Sequence, residues 1–158
     1  MEYSFRENAA NEMKEIEKLQ QVVKQFCAFV EALPAEATVN KVWGAKEVLP
    51  HLLIWQSNYL RLLKTQIANE AATPARGKFN IINEQVVANN RGQSLMELLM
   101  RFRDVSNQWV KLAQTVDLDI TTLIYKAGSA RRPLRWYLRA EANHIQHHFC
   151  GCTCLHSC

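Results

Sequence analysis

Apolar residues recur at intervals of three and four along most of the chain, which is the spacing of one face of an α-helix. The first such run extends from Met13 to a stop at Pro34, and the second opens near Gly44 and continues to about Asn69. Pro50 falls within the first turns of the second run, where a missing backbone donor is tolerated better than deeper in a helix. These two segments predict two long amphipathic helices.

The middle of the chain predicts one shorter helix and a third long one. The shorter helix, F-N-I-I-N-E-Q-V-V-A-N-N-R-G, closes at Gly92. Ser94 and Glu97 then have the spacing of a capping box, in which each residue bonds the other's backbone N–H at the start of a helix. We expect a long helix from this point to about Val116.

The last long helix is predicted to have Pro133 in its first turn and to continue to Phe149. The short apolar run T-T-L-I-Y around Ile124 does not define its own type, and we interpret it as a loop or a short helix. Four long helices joined by short links predict an all-α protein that folds as a four-helix bundle.

Length and composition are those of one ordinary globular domain. The 158 residues are 48% hydrophobic and 22% charged, which argues against disorder and against a fibrous protein. No stretch approaches the roughly 20 apolar residues that span a bilayer, and the N-terminus lacks the apolar core of an export signal. The sequence therefore predicts a cytoplasmic protein with no membrane partner.

The formal charge of +4 is modest, but four arginines crowd into nine positions, Arg131 to Arg139. This cluster is typical either of a solvated helix start or of an anion-binding or nucleic-acid-binding patch. Charge alone does not identify a partner.

Cysteine use is uneven. Cys27 lies in a helical run and is expected to be a small core residue, whereas the other four cysteines all fall in the last nine residues, at Cys150, Cys152, Cys154 and Cys158. Such a distribution cannot cross-link the body of a domain, so a reducing compartment is expected. We divide the chain into a bundle domain, residues 1–150, and a cysteine-rich tail, residues 151–158. The tail is either an incidental disordered end or a thiol-rich metal or redox segment that includes His156.

Three histidines have the placement expected of metal ligands. His144 and His148 are one helical turn apart on one face, while His147 points away from that face. His51 lies on or beside the core-facing stripe of the second helix. Three imidazoles that converge from two helices can bind one divalent cation and leave positions open for a substrate. A water-filled polar pocket is the alternative.

Three segments carry a resemblance to a known family: W-G-A-K-E-V-L-P-H, F-N-I-I-N-E-Q-V-V-A-N-N-R-G-Q-S-L-M-E-L-L and N-H-I-Q-H-H. Together they resemble the DinB-like superfamily, most closely its ClbS/DfsB branch, from about Glu12 to Phe149. The resemblance implies the DinB/YfiT-like metalloenzyme fold, an up-down-down-up bundle with a pocket at one end. It also implies that His51, His144 and His148 bind a divalent metal, with nickel or zinc expected.

The resemblance also implies a class of function. Some relatives are thiol-dependent S-transferases or isomerases, and ClbS-like proteins protect their host by hydrolysing a strained electrophilic ring in a genotoxic metabolite. We therefore expect a metal-dependent hydrolase or thiol-dependent transferase that acts on a small electrophile, in detoxification or self-protection. A low-molecular-weight thiol is the expected co-substrate, and DNA binding is not expected.

Three residues near the histidines are candidates for catalytic roles. Glu141 is placed for proton transfer or for orienting a metal ligand, and Tyr59 and Tyr137 are candidates to donate to developing charge. Two alternatives remain: a binding or sequestration protein that uses the same pocket without turnover, and a structural homodimer. In the homodimer the large aromatic residues serve packing alone, namely Trp55, Trp109 and Trp136.

Overall fold

A computed structural model of the protein describes the backbone of residues 2–34 and 43–153, and the side chains of residues 14–34 and 43–149. Within these ranges the chain forms five α-helices and one two-stranded antiparallel sheet. The helices are α1 (Glu2–Ala32), α2 (Ala45–Ile67), α3 (Phe79–Asn89), α4 (Leu95–Ala113) and α5 (Leu134–Thr153), and the strands are β1 (Thr122–Leu123) and β2 (Arg132–Pro133). The all-α prediction is confirmed.

Pairs of contacts along the four long helices give their relative directions. Helices α1 and α5 run parallel, α5 and α2 antiparallel, and α2 and α4 parallel, so the order is up-down-down-up. The defining contacts are Glu15–Arg139 and Phe29–Phe149 for α1 and α5, His51–His144 and Tyr59–Tyr137 for α2 and α5, and Lys46–Arg91 and Lys64–Gln108 for α2 and the α4 region. The fourth long helix therefore returns beside the first, as the resemblance implies.

Large apolar side chains from all four long helices fill the interior. Phe26 of α1 meets Phe102 of α4 edge to face, with ring centroids 5.6 Å apart, and both are fully buried. Burial of one such side chain contributes roughly 1.5–3 kcal/mol. Cys27 is 2% exposed, so its prediction as a small core residue is confirmed.

Helix α4 begins as the capping-box spacing predicts. The Ser94 hydroxyl accepts from the Glu97 backbone N–H, and the Glu97 carboxylate accepts from the Ser94 backbone N–H at 2.7 Å. Two backbone donors that have no partner within the helix are thereby satisfied.

The segment around Ile124, predicted as a loop or short helix, is a loop except for Thr122 and Leu123, which form β1. Thr122 pairs with Pro133 and Leu123 with Arg132. Two residues are too few to show the alternating pattern of a strand. Strand β1 is defined only by its pairing with β2, ten residues later in the chain. Pro133 ends β2 directly before α5, and an edge strand tolerates its missing N–H.

The loop that contains β1 also satisfies the first turn of α5. Backbone N–H groups of Leu134 and Arg135 donate to the carbonyls of Thr121 and Leu118, at 2.8 and 3.0 Å. Two N–H groups at the start of α5 therefore have backbone acceptors in the segment after α4, which holds the start of the helix to that segment.

Two helix ends lie outside the predicted ranges. Helix α1 begins at Glu2, earlier than Met13, and α5 continues through Gly151 to Thr153. A glycine near a helix end costs only about 1 kcal/mol relative to alanine, so Gly151 need not stop the helix. The division between residues 1–150 and 151–158 stays a prediction, and most of the tail, residues 154–158, lies outside the described residues.

Part of the arginine cluster is paired with carboxylates. Arg135 forms two hydrogen bonds with Asp119, at 2.6 and 2.9 Å, and Arg139 bonds Glu15 at 2.6 Å. These pairs hold the start of α5 to its neighbours, which favours the solvated helix start for Arg135 and Arg139. No helix in the described ranges is long and apolar enough to cross a membrane.

Candidate metal centre and adjoining cleft

Two helical stripes face each other across the space between α2 and α5. Residues four apart along a helix lie on the same face, so each stripe presents its side chains in one row. Because the two helices are antiparallel, the histidine of the first stripe lies opposite the histidines of the second. The stripes are His51, Trp55 and Tyr59 on α2, and Trp136, Ala140, His144 and His148 on α5.

The three predicted histidine ligands converge at one end of these stripes. His51 Nε2 lies 3.0 Å from His144 Nε2, which lies 3.1 Å from His148 Nε2. One nitrogen from each residue lies within 4.8 Å of the other two. Metal–nitrogen bonds of 2.0–2.1 Å at tetrahedral or right angles separate ligand nitrogens by about 2.8–3.4 Å. The donor set therefore fits one divalent cation.

Burial keeps two of these imidazoles neutral. Desolvation, and then the neighbouring His144, lowers the pKa of His51 to about 4 and that of His148 to about 3. Trp43 contributes to the burial of His51, with ring centroids 5.2 Å apart. Asn83 acts in the opposite direction and raises the pKa of His51, but less than burial lowers it. Neutral imidazoles offer the lone pairs that a metal requires. Nδ1 of His51 is buried without a hydrogen-bond partner among the described residues.

Glu141 orients the central histidine of the group. Its Oε2 lies 3.4 Å from Nδ1 of His144, and the residue is 1% exposed. Because a carboxylate only accepts hydrogen bonds, we assign the proton to Nδ1 of His144. Nε2 of His144 then directs its lone pair at His51 and His148. This is the pairing by which proteins orient metal-binding histidines.

A buried polar chain extends from Glu141 across the bundle. Gln56 Nε2 donates to Glu141 Oε1 at 3.3 Å, and the Ser106 hydroxyl donates to Gln56 Oε1. All three side chains are at most 1% exposed. Ser106, Gln56, Glu141 and His144 thus form a continuous chain from α4 through α2 to α5, which connects the centre to the core packing.

Sequence reasoning missed Gln56 and Ser106, although the pattern contained a signal for both. Gln56 interrupts an otherwise leucine stripe of α2, and Ser106 interrupts the corresponding stripe of α4. The interrupted stripes are Leu49, Leu52, Gln56, Leu60 and Leu63, and Leu99, Phe102, Ser106, Trp109 and Ala113. A polar residue in a core register must find a partner, so each interruption indicates a buried polar contact, although the pattern does not identify the partner.

An aromatic cleft of about 310 Å³ adjoins the histidines. Trp55 and Tyr59 line it from α2, Phe79 from α3, and Tyr125 from the loop after β1. Asn58 fixes this loop by donating to the Tyr125 carbonyl at 2.8 Å. Five aromatic side chains line the cleft, namely Trp55, Tyr59, Phe79, Tyr125 and Trp136. His51, His144 and Glu141 line one part of the same cleft.

The sequence profile of the DinB superfamily matches residues 18–149, which is most of the chain. The chain belongs to the DinB superfamily. Members of this superfamily often bind metal, in agreement with the geometry of the three histidines. Neither the search of curated proteins nor the search of solved structures finds a match to this DinB protein. Its assignment to the ClbS/DfsB branch stays a prediction.

The two tyrosines predicted to act in catalysis have different positions in this DinB chain. Tyr59 lines the cleft and is 8% exposed, and burial raises the pKa of its hydroxyl well above the usual range. Tyr137 is fully buried, and its hydroxyl donates to the Leu123 carbonyl at 3.0 Å. Tyr137 would have to give up this bond to donate to a substrate, so its catalytic role stays a prediction.

The three tryptophans also differ in position. Trp109 is fully buried and stacks on Tyr59, with centroids 5.1 Å apart, so its role is packing. Trp55 and Trp136 line the cleft, and Trp136 is 44% exposed. The structural-homodimer hypothesis requires that all three tryptophans serve packing alone, and of the three only Trp109 has such a position. Homodimer formation itself stays a prediction.

Proposed function

We propose that this DinB protein is a divalent-metal-dependent hydrolase or thiol-dependent transferase that acts on a small electrophile. The observation that supports it is the convergence of three imidazole nitrogens, from His51, His144 and His148, beside an aromatic cleft. Three protein ligands are the usual number in catalytic metal sites, because further coordination positions stay open to substrate. A purely structural site would fill those positions with protein.

The chemistry of the ligands favours nickel or zinc. Imidazole nitrogens suit both metals, whereas magnesium and calcium prefer oxygen donors. A bound divalent cation supplies Lewis acidity to an oxygen or sulfur atom of the substrate. The nitrogen atoms that would hold it are Nε2 of His51, His144 and His148.

The residues around the histidines have separable roles in this proposal. Both carboxylate oxygens of Glu141 are engaged, one with His144 and one with Gln56. We therefore favour orientation of His144 over proton transfer for Glu141. Tyr59 keeps its proton at ordinary pH because burial raises its pKa. Its hydroxyl can therefore act as a hydrogen-bond donor toward negative charge that develops in the cleft.

In biological terms the proposal is detoxification or self-protection in the cytoplasm, as in the ClbS/DfsB branch. A low-molecular-weight thiol is the co-substrate if the protein is a transferase.

A specific observation also supports a second candidate function, that of a binding or sequestration protein. An aromatic cleft with few polar groups retains a small molecule whether or not it reacts. Turnover distinguishes the two functions.

The first experiment counts metal in protein purified without a histidine tag. We expect about one nickel or zinc ion per chain by mass spectrometry. His51→Ala, His144→Ala and His148→Ala should each lose most of it, while His147→Ala should keep it, because His147 is exposed and outside the group. Equal loss in all four variants would show that this site does not hold the metal.

The second experiment measures turnover of an epoxide by the metal-loaded protein, with and without a low-molecular-weight thiol. Ring opening by water supports the hydrolase, and thiol-dependent opening supports the transferase. Both activities should disappear in His144→Ala and persist in His147→Ala. Stoichiometric binding of the epoxide without product would instead support sequestration.

A further inference from the structure

The aromatic side chains around the cleft are unusual in their exposure. Phe79 is 42% exposed and Trp136 is 44% exposed, although both are large apolar rings. They line the same cleft from different elements, Phe79 at the start of α3 and Trp136 on α5. Aromatic rings left exposed in a concave site indicate a surface that a ligand covers.

The walls of the cleft favour a flat ligand. Behind Phe79, ring contacts to Trp55 at 5.2 Å and to Tyr125 at 5.9 Å hold it in one aromatic cluster. The Trp55 indole N–H donates to Asn83 at 3.0 Å, which fixes its ring plane. Ala140 lies between Trp136 and His144 on α5, and its side chain is the smallest of those that line the cleft. Aromatic rings that line a cleft from separate elements offer faces on which planar groups stack.

Two cationic side chains lie over the two most exposed rings of the cleft. The Lys126 ammonium is 4.9 Å from the centroid of Phe79, and the Arg132 guanidinium is 5.6 Å from that of Trp136. We call Lys126 and Arg132 the cationic rim. Among the described residues that line the cleft, Glu141 is the only acidic one, and its buried carboxylate already bonds His144 and Gln56.

We propose that the cleft binds a flat, largely apolar small molecule that carries an anionic group. Its planar part lies between the aromatic walls, its anionic group faces the cationic rim, and its reactive atom lies near the three histidines. The volume of about 310 Å³ is at the low end for small-molecule sites, which fits a ligand of about two fused rings. This inference rests on the proposed function, because it assigns a substrate class to the same site.

An aromatic cleft is also a known kind of site for organic cations, because ring faces attract positive charge. The cationic rim argues against that ligand here, since Lys126 and Arg132 already lie over the two outer rings. The test therefore compares both charges on one ring system.

The experiment measures binding by calorimetry to the full chain, first metal-free and then zinc-loaded. The probes are naphthalene-2-carboxylate, the neutral 2-naphthamide, the cationic 2-naphthyltrimethylammonium, and decalin-2-carboxylate as a non-planar anion. We expect naphthalene-2-carboxylate to bind tightest in the metal-free protein. Tighter binding of the cation would overturn the charge assignment, and equal binding of decalin-2-carboxylate would overturn the planar one.

Variants locate the binding. Lys126→Gln combined with Arg132→Gln should weaken naphthalene-2-carboxylate by about three- to tenfold, as expected for two partly exposed charges, and change 2-naphthamide less than twofold. Equal weakening of both probes would show that the rim acts by shape alone and would overturn the role of charge. The matched control pair, Lys111→Gln with Arg103→Gln on α4, should change neither probe.

Filling the cleft provides the second test. Ala140→Leu should weaken both naphthalene probes at least tenfold and leave the metal content unchanged, while Ala88→Leu, at an exposed position of α3, should change nothing. Trp136→Ala removes an exposed ring, so the fold should tolerate it, and it should weaken both probes about two- to tenfold. Unchanged binding in both Ala140→Leu and Trp136→Ala would place the ligand elsewhere.

The two proposals fail separately in these experiments. If the wild-type protein retains metal and opens epoxides but binds no naphthalene probe, the ligand class is wrong and the proposed function stands. If the probes bind as expected but the protein retains no metal, the proposed function is wrong and the cleft assignment stands.

Discussion

The side-chain amide of Gln56 donates to Glu141, 3.3 Å away, at a point where both residues are fully enclosed by the bundle. The same amide accepts from Ser106, so its orientation is fixed from both sides. This places one neutral residue between the core packing of α4 and the carboxylate that holds His144. The geometry of the candidate metal centre therefore depends on a residue that cannot itself bind the metal in this arrangement.

Gln56→Leu should weaken both the fold and the metal site. The change leaves Glu141 Oε1 and the Ser106 hydroxyl without their partner, and an unsatisfied buried polar group costs about 1–3 kcal/mol. Loss of support for a metal-binding histidine lowers metal affinity roughly 10–100-fold. Urea unfolding of the metal-free protein measures the first effect, and competition with a zinc chelator measures the second.

The control for Gln56→Leu is Gln85→Leu, at an exposed position of α3. It should leave both quantities near those of the wild type. The cobalt-substituted protein adds a direct view of geometry, because its visible spectrum reports the arrangement of ligands. If Gln56→Leu lowers the free energy of unfolding but leaves the cobalt spectrum and the zinc affinity unchanged, that result would show that Gln56 stabilises the core and does not shape the metal site.

The metal-free fold should lose stability as the pH falls from about 7 to 4. The pKa of His51 is lowered to about 4 in the folded chain, below its ordinary value of 6.5, chiefly by burial. Between these values the unfolded chain binds more protons than the folded one, so the free energy of unfolding rises with pH. The contribution of His51 is complete above about pH 7 and amounts to about 3 kcal/mol.

Urea unfolding at a series of pH values, after metal removal by a chelator, checks this dependence. His51→Leu should make the profile less steep between pH 4 and 7, because no proton is then taken up at this position on unfolding, while His148, with its own lowered pKa, keeps part of the slope. His147→Leu should keep the wild-type slope, since His147 is exposed. Parallel profiles for wild type and His51→Leu would contradict the lowered pKa.

Ser94→Ala should destabilise the start of α4. It removes the hydroxyl that accepts from the Glu97 backbone, and loss of such a cap costs about 0.5–2 kcal/mol. Thermal unfolding followed by circular dichroism measures the effect. Ser129→Ala is the comparison, because Ser129 lies in the loop between β1 and β2 and does not begin a helix. Equal unfolding temperatures for the two variants would show that the cap is energetically neutral.

The long helices and the histidine group were predictable because both depend on local spacing. A core-facing stripe fixes which residues face inward, and the four-residue interval between His144 and His148 places both on one face of α5. His51 could be added to this pair of ligands because neighbouring helices of a bundle face each other.

The strand pair and the buried polar chain were not predicted because each depends on a partner far along the chain. Thr122 adopts a strand only because Pro133 lies beside it. Gln56 and Ser106 are 50 residues apart, and no local pattern links them. Their placement in core registers could have been noticed, but the choice of partner follows from which helices are adjacent, and tertiary packing decides that.

Deletion of residues 151–158 should leave the bundle and its histidine site intact. The last ligand, His148, precedes the deleted segment, and its contacts to His144 and His51 lie within the body of the domain. The deletion removes the final helical residues of α5, up to Thr153, so some fraying of the last turn is expected. The comparison must be made under reducing conditions, because the cysteine thiols of the tail can otherwise form intermolecular disulfides or bind additional soft metal. Metal counted per chain should stay near one, as it should in a full-length variant with Cys152, Cys154 and Cys158 changed to serine. If the deletion abolishes the bound metal while His51→Ala keeps it, the cysteines are the ligands, and a metal-handling role replaces small-molecule chemistry.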